Sequence, residues 1–95
     1  MKKQAQINRE SAARLLAALA RVRGECSDMA AKRRLRSAEE KLALAPPTER
    51  EEAVYIDGEL TKLLGELPGV LAGGVLTERY LDRIEMLLSR RCTLA

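Results

Sequence analysis

Apolar residues recur at helical spacing along most of the chain, and glycine, proline and capping residues divide this pattern into four segments. The first segment, from Gln4 to Arg23, has apolar residues on two opposite sides. The bulky row is Leu15, Leu19, Val22 and Cys26, and the small row is Ala13, Ala17, Ala20 and Gly24, with Ala12 and Leu16 between the rows. Because charge is confined to a narrow strip, this segment is predicted to be a central helix or a helix in a dimer interface.

The stretch from Gly24 to Asp28 is predicted to separate the first helix from the second. Gly24 can end a helix, and Ser27 or Asp28 can cap the next one. The apolar phase also shifts here, which favours a helical hairpin over one continuous helix of about forty residues. The second helix ends at Pro46-Pro47. Its apolar row is Ala31, Leu35, Ala38, Leu42 and Ala45.

The third helix is predicted to begin at Thr48, because Thr48 and Glu51 have the spacing of a capping box. Its apolar row is Ala53, Ile56, Leu60, Leu63 or Leu64, and Leu67. The stretch from Gly65 to Leu76 contains four glycines and Pro68, so it is interpreted as an apolar loop.

The fourth helix is predicted to be capped by Thr77 and to carry one apolar row. That row is Tyr80, Leu81, Ile84, Leu87 and Leu88. Together the segments predict one all-α domain over residues 1–95, a small four-helix bundle made of two helical hairpins.

Composition supports a helical protein and indicates a cytoplasmic location. Of 95 residues, 46% are hydrophobic, and Tyr55 and Tyr80 are the only aromatics. A core of leucine and alanine favours helices over strands. No secretory signal and no apolar stretch of about 18 residues are evident, so no membrane association is expected. Cys26 and Cys92 are interpreted as reduced thiols near helix ends, in preference to a disulfide.

The candidate chemistry argues against an enzyme. The chain has no histidine, and two isolated cysteines cannot complete a zinc site. No activating partner for a serine is recognisable in the sequence, and adjacent glutamates on a helix point about 100° apart. The stretch Gly69-x-x-x-Gly73-Gly74 lacks the lysine of a phosphate loop. We therefore expect no catalytic residue, cofactor, metal or small-molecule substrate.

Positive charge is concentrated in the first half of the chain, although the net charge is only +3. A basic run consists of Lys32, Arg33, Arg34 and Arg36, and Arg21 and Arg23 are expected to lie near it across the turn. A solvated helix face is the favoured interpretation, with an i,i+4 pair of Arg36 and Glu40. The alternatives are an acidic protein partner and a nucleic-acid backbone, which such a run would bind without base stacking.

Several apolar residues lie off the predicted core rows and are candidates for a protein interface. They are Ala13, Ala17, Ala20, Leu16, Val54, Tyr55 and Met86. The leading hypothesis is a non-catalytic interaction protein, such as a small subunit, adaptor or chaperone-like partner, that buries these faces against itself or another chain. Sequence-blind nucleic-acid binding is the second hypothesis. A host- or phage-encoded inhibitor that masks a target surface is the third.

Overall fold

The computed structural model describes residues 3–74 and 76–94, and within these ranges the chain forms four α-helices and no strand. The helices are α1 (Gln4–Glu25), α2 (Met29–Ala43), α3 (Glu52–Gly73) and α4 (Thr77–Cys92). α1 packs against α2 and α3, while α4 packs against α3 and, less extensively, α2. In cross-section the helices therefore follow a square, in which the α1–α2 side lies opposite the α3–α4 side.

One hydrophobic core joins the four helices, and leucine dominates it. The predicted apolar rows supply its largest members, which are Leu15, Leu19, Leu35, Leu60, Leu64, Leu67, Leu81, Ile84 and Leu88. Burial of leucine side chains is the main favourable contribution, at about 1.5–3 kcal/mol each. The prediction of an all-helical chain with four helices is confirmed.

The small row of α1 does not have the predicted central position. Ala13 and Ala17 are exposed, and Ala20 and Leu16 are half-buried. The reason is that α1 has helical neighbours on two sides only, α2 and α3, which cover its bulky row. The first alternative, a central helix, was therefore wrong, and a helix in a dimer interface stays a prediction.

α1 and α2 are separate helices joined by residues 26–28. Cys26 adopts an extended conformation, and the Asp28 carboxylate accepts hydrogen bonds from the amides of Ala30 (2.8 Å) and Ala31 (3.1 Å). Of the two predicted caps, Ser27 and Asp28, the structure has Asp28, whose bonds satisfy amides of the first turn of α2. Gly24 lies inside α1 and does not end it. The alternative of one continuous helix was wrong.

The predicted caps of the third and fourth helices were wrong. α3 begins at Glu52, and Thr48 lies in the preceding segment, where its hydroxyl accepts from the amide of Arg50 at 3.1 Å. Thr48 is buried because its carbonyl accepts a hydrogen bond from Asn8. α4 begins at Thr77 itself, without a side-chain cap.

The predicted loop from Gly65 to Leu76 was also wrong, because α3 continues to Gly73 with Pro68 inside it. Leu64 and Leu67 are fully buried, and Leu71 packs against the core one turn later. This burial outweighs the loss of one backbone hydrogen bond at the proline and the poor helix propensity of glycine. Gly74 follows the last helical residue as the C-cap, and its φ of +74° is the left-handed conformation typical of a helix C-terminus.

A buried polar network crosses the core and fixes the positions of α1, α3 and α4. The Arg91 guanidinium donates to the Asp57 carboxylate at 2.8 Å, and the Ser11 hydroxyl donates to the same carboxylate at 2.7 Å. Asn8 donates to the carbonyls of Thr48 and Arg50, both at 2.9 Å. Directional bonds in a dry interior are strong and specify one arrangement of the helices.

Candidate interaction site

The α3–α4 groove lies on the outer side of these two helices. Its floor is Ile56 and Leu87, and Tyr55 stands at its edge with 76% of its surface exposed. Met86 is 53% exposed and lies on the same side of α4 as Arg83 and Arg90, which line the groove. An apolar floor flanked by an exposed aromatic ring and a methionine is typical of protein interfaces.

The rim of the α3–α4 groove has acidic residues on α3 and basic residues on α4. Glu52 and Glu59 line it from α3, opposite Arg83 and Arg90 of α4. Arg83 lies 3.6 Å from Glu59. The pKa of Glu52 is lowered, first by a hydrogen bond from Arg50 and to a smaller extent by the charge of Arg90. The two rims therefore carry opposite charges at matching positions along the helices.

The acidic row of α3 continues to Glu66, which accepts a hydrogen bond from the Tyr80 hydroxyl at 2.7 Å. This bond raises the pKa of Tyr80. Beyond it, Val70 and Leu76 line a second, mostly apolar hollow on the same side of α3, and Leu76 is 45% exposed. Tyr55, Met86 and Leu76 thus place three of the five exposed large hydrophobic residues of the described chain on the α3–α4 side.

The other candidate interface residues do not join Tyr55 and Met86. Val54 is half-buried, and as the neighbour of Tyr55 on α3 it points about 100° away, toward the α1 side. The alanines of the small row and Leu16 are on α1, which lies diagonally across the square from α4. The structure therefore separates the predicted interface residues into two surfaces, of which only the α3–α4 groove contains large exposed apolar side chains.

The basic run of α2 is divided between two sides of the helix. Arg34 donates to Glu78 (2.9 Å), Asp82 (2.6 Å) and Glu85 (2.7 Å) on α4. The hydrogen bonds that Arg34 donates to Glu85 and Asp82 raise the pKa of Arg34, and the bond from Arg34 lowers the pKa of Glu85. Arg34 therefore links α2 to α4, and its charge is neutralised within the chain.

The other cations of the run form a basic hollow with the end of α1. The hollow is lined by Arg23, Met29, Lys32, Arg33 and Arg36. Arg23 is also hydrogen-bonded to Glu39, which raises its pKa. Arg36 and Glu40 were predicted to pair, but they form no ion pair in the part of the chain that the structure describes. Arg21 does not line the hollow, because it is two residues from Arg23 and points about 160° away from it.

Ser11 is the residue whose environment the sequence analysis missed most clearly. Its hydroxyl donates to Asp57, a partner 46 residues away, and both side chains are buried. The signal was available: Asn8 and Ser11 lie on the same side of α1 as Leu15, and Asp57 is adjacent to the apolar row of α3. Polar residues at such positions indicate an internal network. The Ser11 hydroxyl is part of this internal network.

The remaining candidate chemistry is limited. Cys26 is buried, Cys92 is half-buried, and both thiols are free; burial raises the pKa of Cys92. Among the residues from 3 to 74 and 76 to 94, no group of three potential ligands could hold a metal ion, and no helix is long and apolar enough to cross a membrane.

The chain matches no protein-family model, no curated protein and no solved structure. Its function therefore has to be inferred from the geometry of these surfaces.

Proposed function

We propose that the protein is a non-catalytic helical interaction protein that self-associates through the α3–α4 groove. One observation carries the proposal: Tyr55 is largely exposed beside an apolar floor of Ile56 and Leu87, and Met86 is exposed on the side of α4 that carries the groove arginines. Exposed aromatic and methionine side chains near charged residues are enriched in protein interfaces.

Charge complementarity supports a second copy of the chain as the occupant. Each copy carries glutamates on α3 and arginines on α4. A homodimer with two-fold symmetry brings the same surface of both copies together, so that each residue pair occurs twice. A groove with one acidic and one basic rim is complementary to itself, because the acidic rim of each copy faces the basic rim of the other.

The register follows from the contacts within the chain. Glu66 contacts Tyr80 and Glu59 contacts Arg83, so α3 and α4 are antiparallel. A two-fold axis parallel to these helices, in front of the groove and equidistant from both, leaves every residue at its own height. Glu59 of the partner subunit then lies opposite Arg83, without any shift along the helices.

The same operation brings the partner's Tyr55 to Met86. Within one chain Tyr55 is four residues before Glu59, and Met86 is three residues after Arg83, so antiparallel helices place them at similar heights. Contacts between methionine sulfur and aromatic rings are favourable by about 0.3–1.5 kcal/mol. A dimer would contain two such contacts, one on each side of its axis.

The proposal treats the chain as a four-helix bundle of two hairpins, α1–α2 and α3–α4. The second hairpin presents the groove, and the first supports it from behind through the shared core. The buried bond between Asp57 and Arg91 would hold α3 and α4 in one register, so that the groove is preformed and little ordering is needed on association.

Sedimentation equilibrium tests the proposal on purified protein from about 1 to about 100 µM. We expect a monomer–dimer equilibrium that replacement of Tyr55 and Met86 by serine weakens by about tenfold or more. The matched control replaces Met29 and Leu44 by serine and should leave the equilibrium unchanged, because these exposed residues lie at the two ends of α2, outside the groove.

Two results would overturn the proposal. One is a wild-type chain that stays monomeric over the whole concentration range. A monomer whose Tyr55 surface binds a different protein, as in an adaptor or inhibitor, would count as this result. The other is an equal loss of association in the groove variant and the α2 control, since this would assign self-association to general surface hydrophobicity.

A further inference from the structure

We infer that the basic hollow between the end of α1 and the first turns of α2 binds the phosphate backbone of nucleic acid without reading its sequence. The hollow has a volume of about 330 Å³ and is lined by three arginines, one lysine and Met29. No carboxylate-bearing residue lines it. This inference concerns a different surface from the α3–α4 groove and does not rest on self-association.

Three of the four cations are available for a ligand. Lys32, Arg33 and Arg36 form no ion pair with any residue in the described part of the chain, and Arg33 and Arg36 are exposed. Arg34, in the same run, is held by three carboxylates of α4. The helical periodicity of α2 therefore separates a neutralised arginine from cations that remain facing solvent.

The fourth cation is fixed in place. Glu39 accepts two hydrogen bonds from the Arg23 guanidinium. Only 32% of the Arg23 side chain is exposed. A held guanidinium loses less conformational entropy on binding than a free one, so Arg23 is a positioning group at the edge of the hollow.

The chemistry of the lining favours a phosphate backbone over an acidic protein segment. A protein partner usually buries an apolar core within its interface, and Met29 is the only apolar residue here. A phosphate backbone needs only cations and hydrogen-bond donors, which arginine supplies in a planar fork. Because no aromatic residue lines the hollow, base stacking is not offered and no sequence preference is expected.

The position of the hollow is compatible with self-association. The α1–α2 side lies opposite the α3–α4 side, since each of the four helices packs against two neighbours around the square. A dimer formed through the α3–α4 groove would therefore carry two hollows on opposite outer sides, and a monomer would carry one. Binding of nucleic acid should therefore persist when serine replaces Tyr55 and Met86.

Fluorescence anisotropy with two labelled DNA duplexes of unrelated sequence tests the inference. We expect equal affinities for both duplexes and a steep loss of binding between about 50 and about 200 mM salt. Replacement of Arg33 and Arg36 by glutamine should weaken binding about tenfold or more and reduce the salt slope by about two. The matched control, Arg14→Gln with Arg21→Gln, removes the same charge from exposed positions of α1 outside the hollow and should change affinity less than about twofold.

Three outcomes would contradict the inference. The first is no change in anisotropy at about 50 mM salt. The second is an equal loss in both double variants, since net charge and not the hollow would then explain binding. The third is that polyglutamate displaces the labelled DNA at a lower concentration of charged groups than unlabelled DNA does. This result would identify an acidic protein as the ligand.

Discussion

Arg91 of α4 donates to Asp57 of α3 at 2.8 Å in the interior of the protein, where their side chains are 4% and 3% exposed. Ser11 donates to the same carboxylate, and Arg91 also reaches the carbonyl of Asn8 at 3.4 Å. Both oxygens of the carboxylate are thus occupied, so the buried charge is both paired and hydrogen-bonded. This pair therefore connects three helices through one carboxylate.

Removing one member of this pair should strongly destabilise the protein. Asp57→Leu leaves the guanidinium of Arg91 buried without its counter-charge, and we expect the free energy of unfolding to fall by about 3–5 kcal/mol. Urea unfolding followed by circular dichroism measures the change. Glu59→Gln removes an acid from a largely exposed ion pair two residues along α3 and should cost less than about 1 kcal/mol.

The double variant Asp57→Leu with Arg91→Met distinguishes an unpaired charge from simple loss of packing. Because both charges are absent, it should be more stable than Asp57→Leu alone. A double variant that is less stable than either single variant would show that the destabilisation does not come from the unpaired charge.

Glycine-to-alanine replacements test the unexpected continuation of α3. Gly69 follows Pro68 within the helix, and a Cβ atom there would meet nothing within 4 Å. Gly69→Ala should therefore raise the free energy of unfolding by about 0.5–1 kcal/mol. Gly74→Ala should lower it by about 1 kcal/mol, since its φ is +74°. A destabilising Gly69→Ala would support the loop that the sequence indicated.

The free energy of unfolding should fall on acidification, and part of this fall should depend on Arg34. Arg34 lowers the pKa of Glu85 in the folded protein. The ionised Glu85 carboxylate therefore stabilises the fold at a pH above the pKa that Glu85 has in the unfolded chain. This contribution is lost as the pH falls through the pKa of Glu85 in the folded protein. Because 40% of the Glu85 side chain is exposed, the contribution should be below about 1 kcal/mol.

Unfolding free energies measured from about pH 6 to about pH 3 should therefore decline less steeply in Arg34→Met than in the wild type. Arg33→Met is the matched control, because this neighbouring side chain forms no ion pair in the described structure, and its slope should equal that of the wild type. Equal slopes in all three proteins would contradict a stabilising role for the Arg34 contacts.

Periodicity predicted the helices and most of the core, because leucine rows at helical spacing have one stable solution. The prediction failed where burial in the core favours a helix and the local propensity favours a loop. Pro68 and its neighbouring glycines indicate a loop, yet Leu64, Leu67 and Leu71 hold the segment in a helix. Local sequence signals cannot predict this burial, since the packing partners of these leucines are on other helices.

The surfaces were only partly predictable for a similar reason. Exposure of Tyr55 and Met86 follows from the helical wheel of each segment. The separation of Arg34 from Arg33 and Arg36 depends on which helix lies beside α2, because the carboxylates that neutralise Arg34 are at least 44 residues away. No spacing within the basic run indicates that contact.

Charge reversal on the two rims of the α3–α4 groove tests its self-complementarity most directly. At the height of the Glu59–Arg83 pair, Arg83→Glu places acids on both rims and Glu59→Arg places bases on both, so each variant alone should self-associate about fivefold to tenfold more weakly than the wild type. Sedimentation equilibrium of an equimolar mixture should then restore dimers, because the two glutamates of one variant face the two arginines of the other. A mixture that stays as dissociated as its components, or single variants that associate like the wild type, would contradict self-association through this groove.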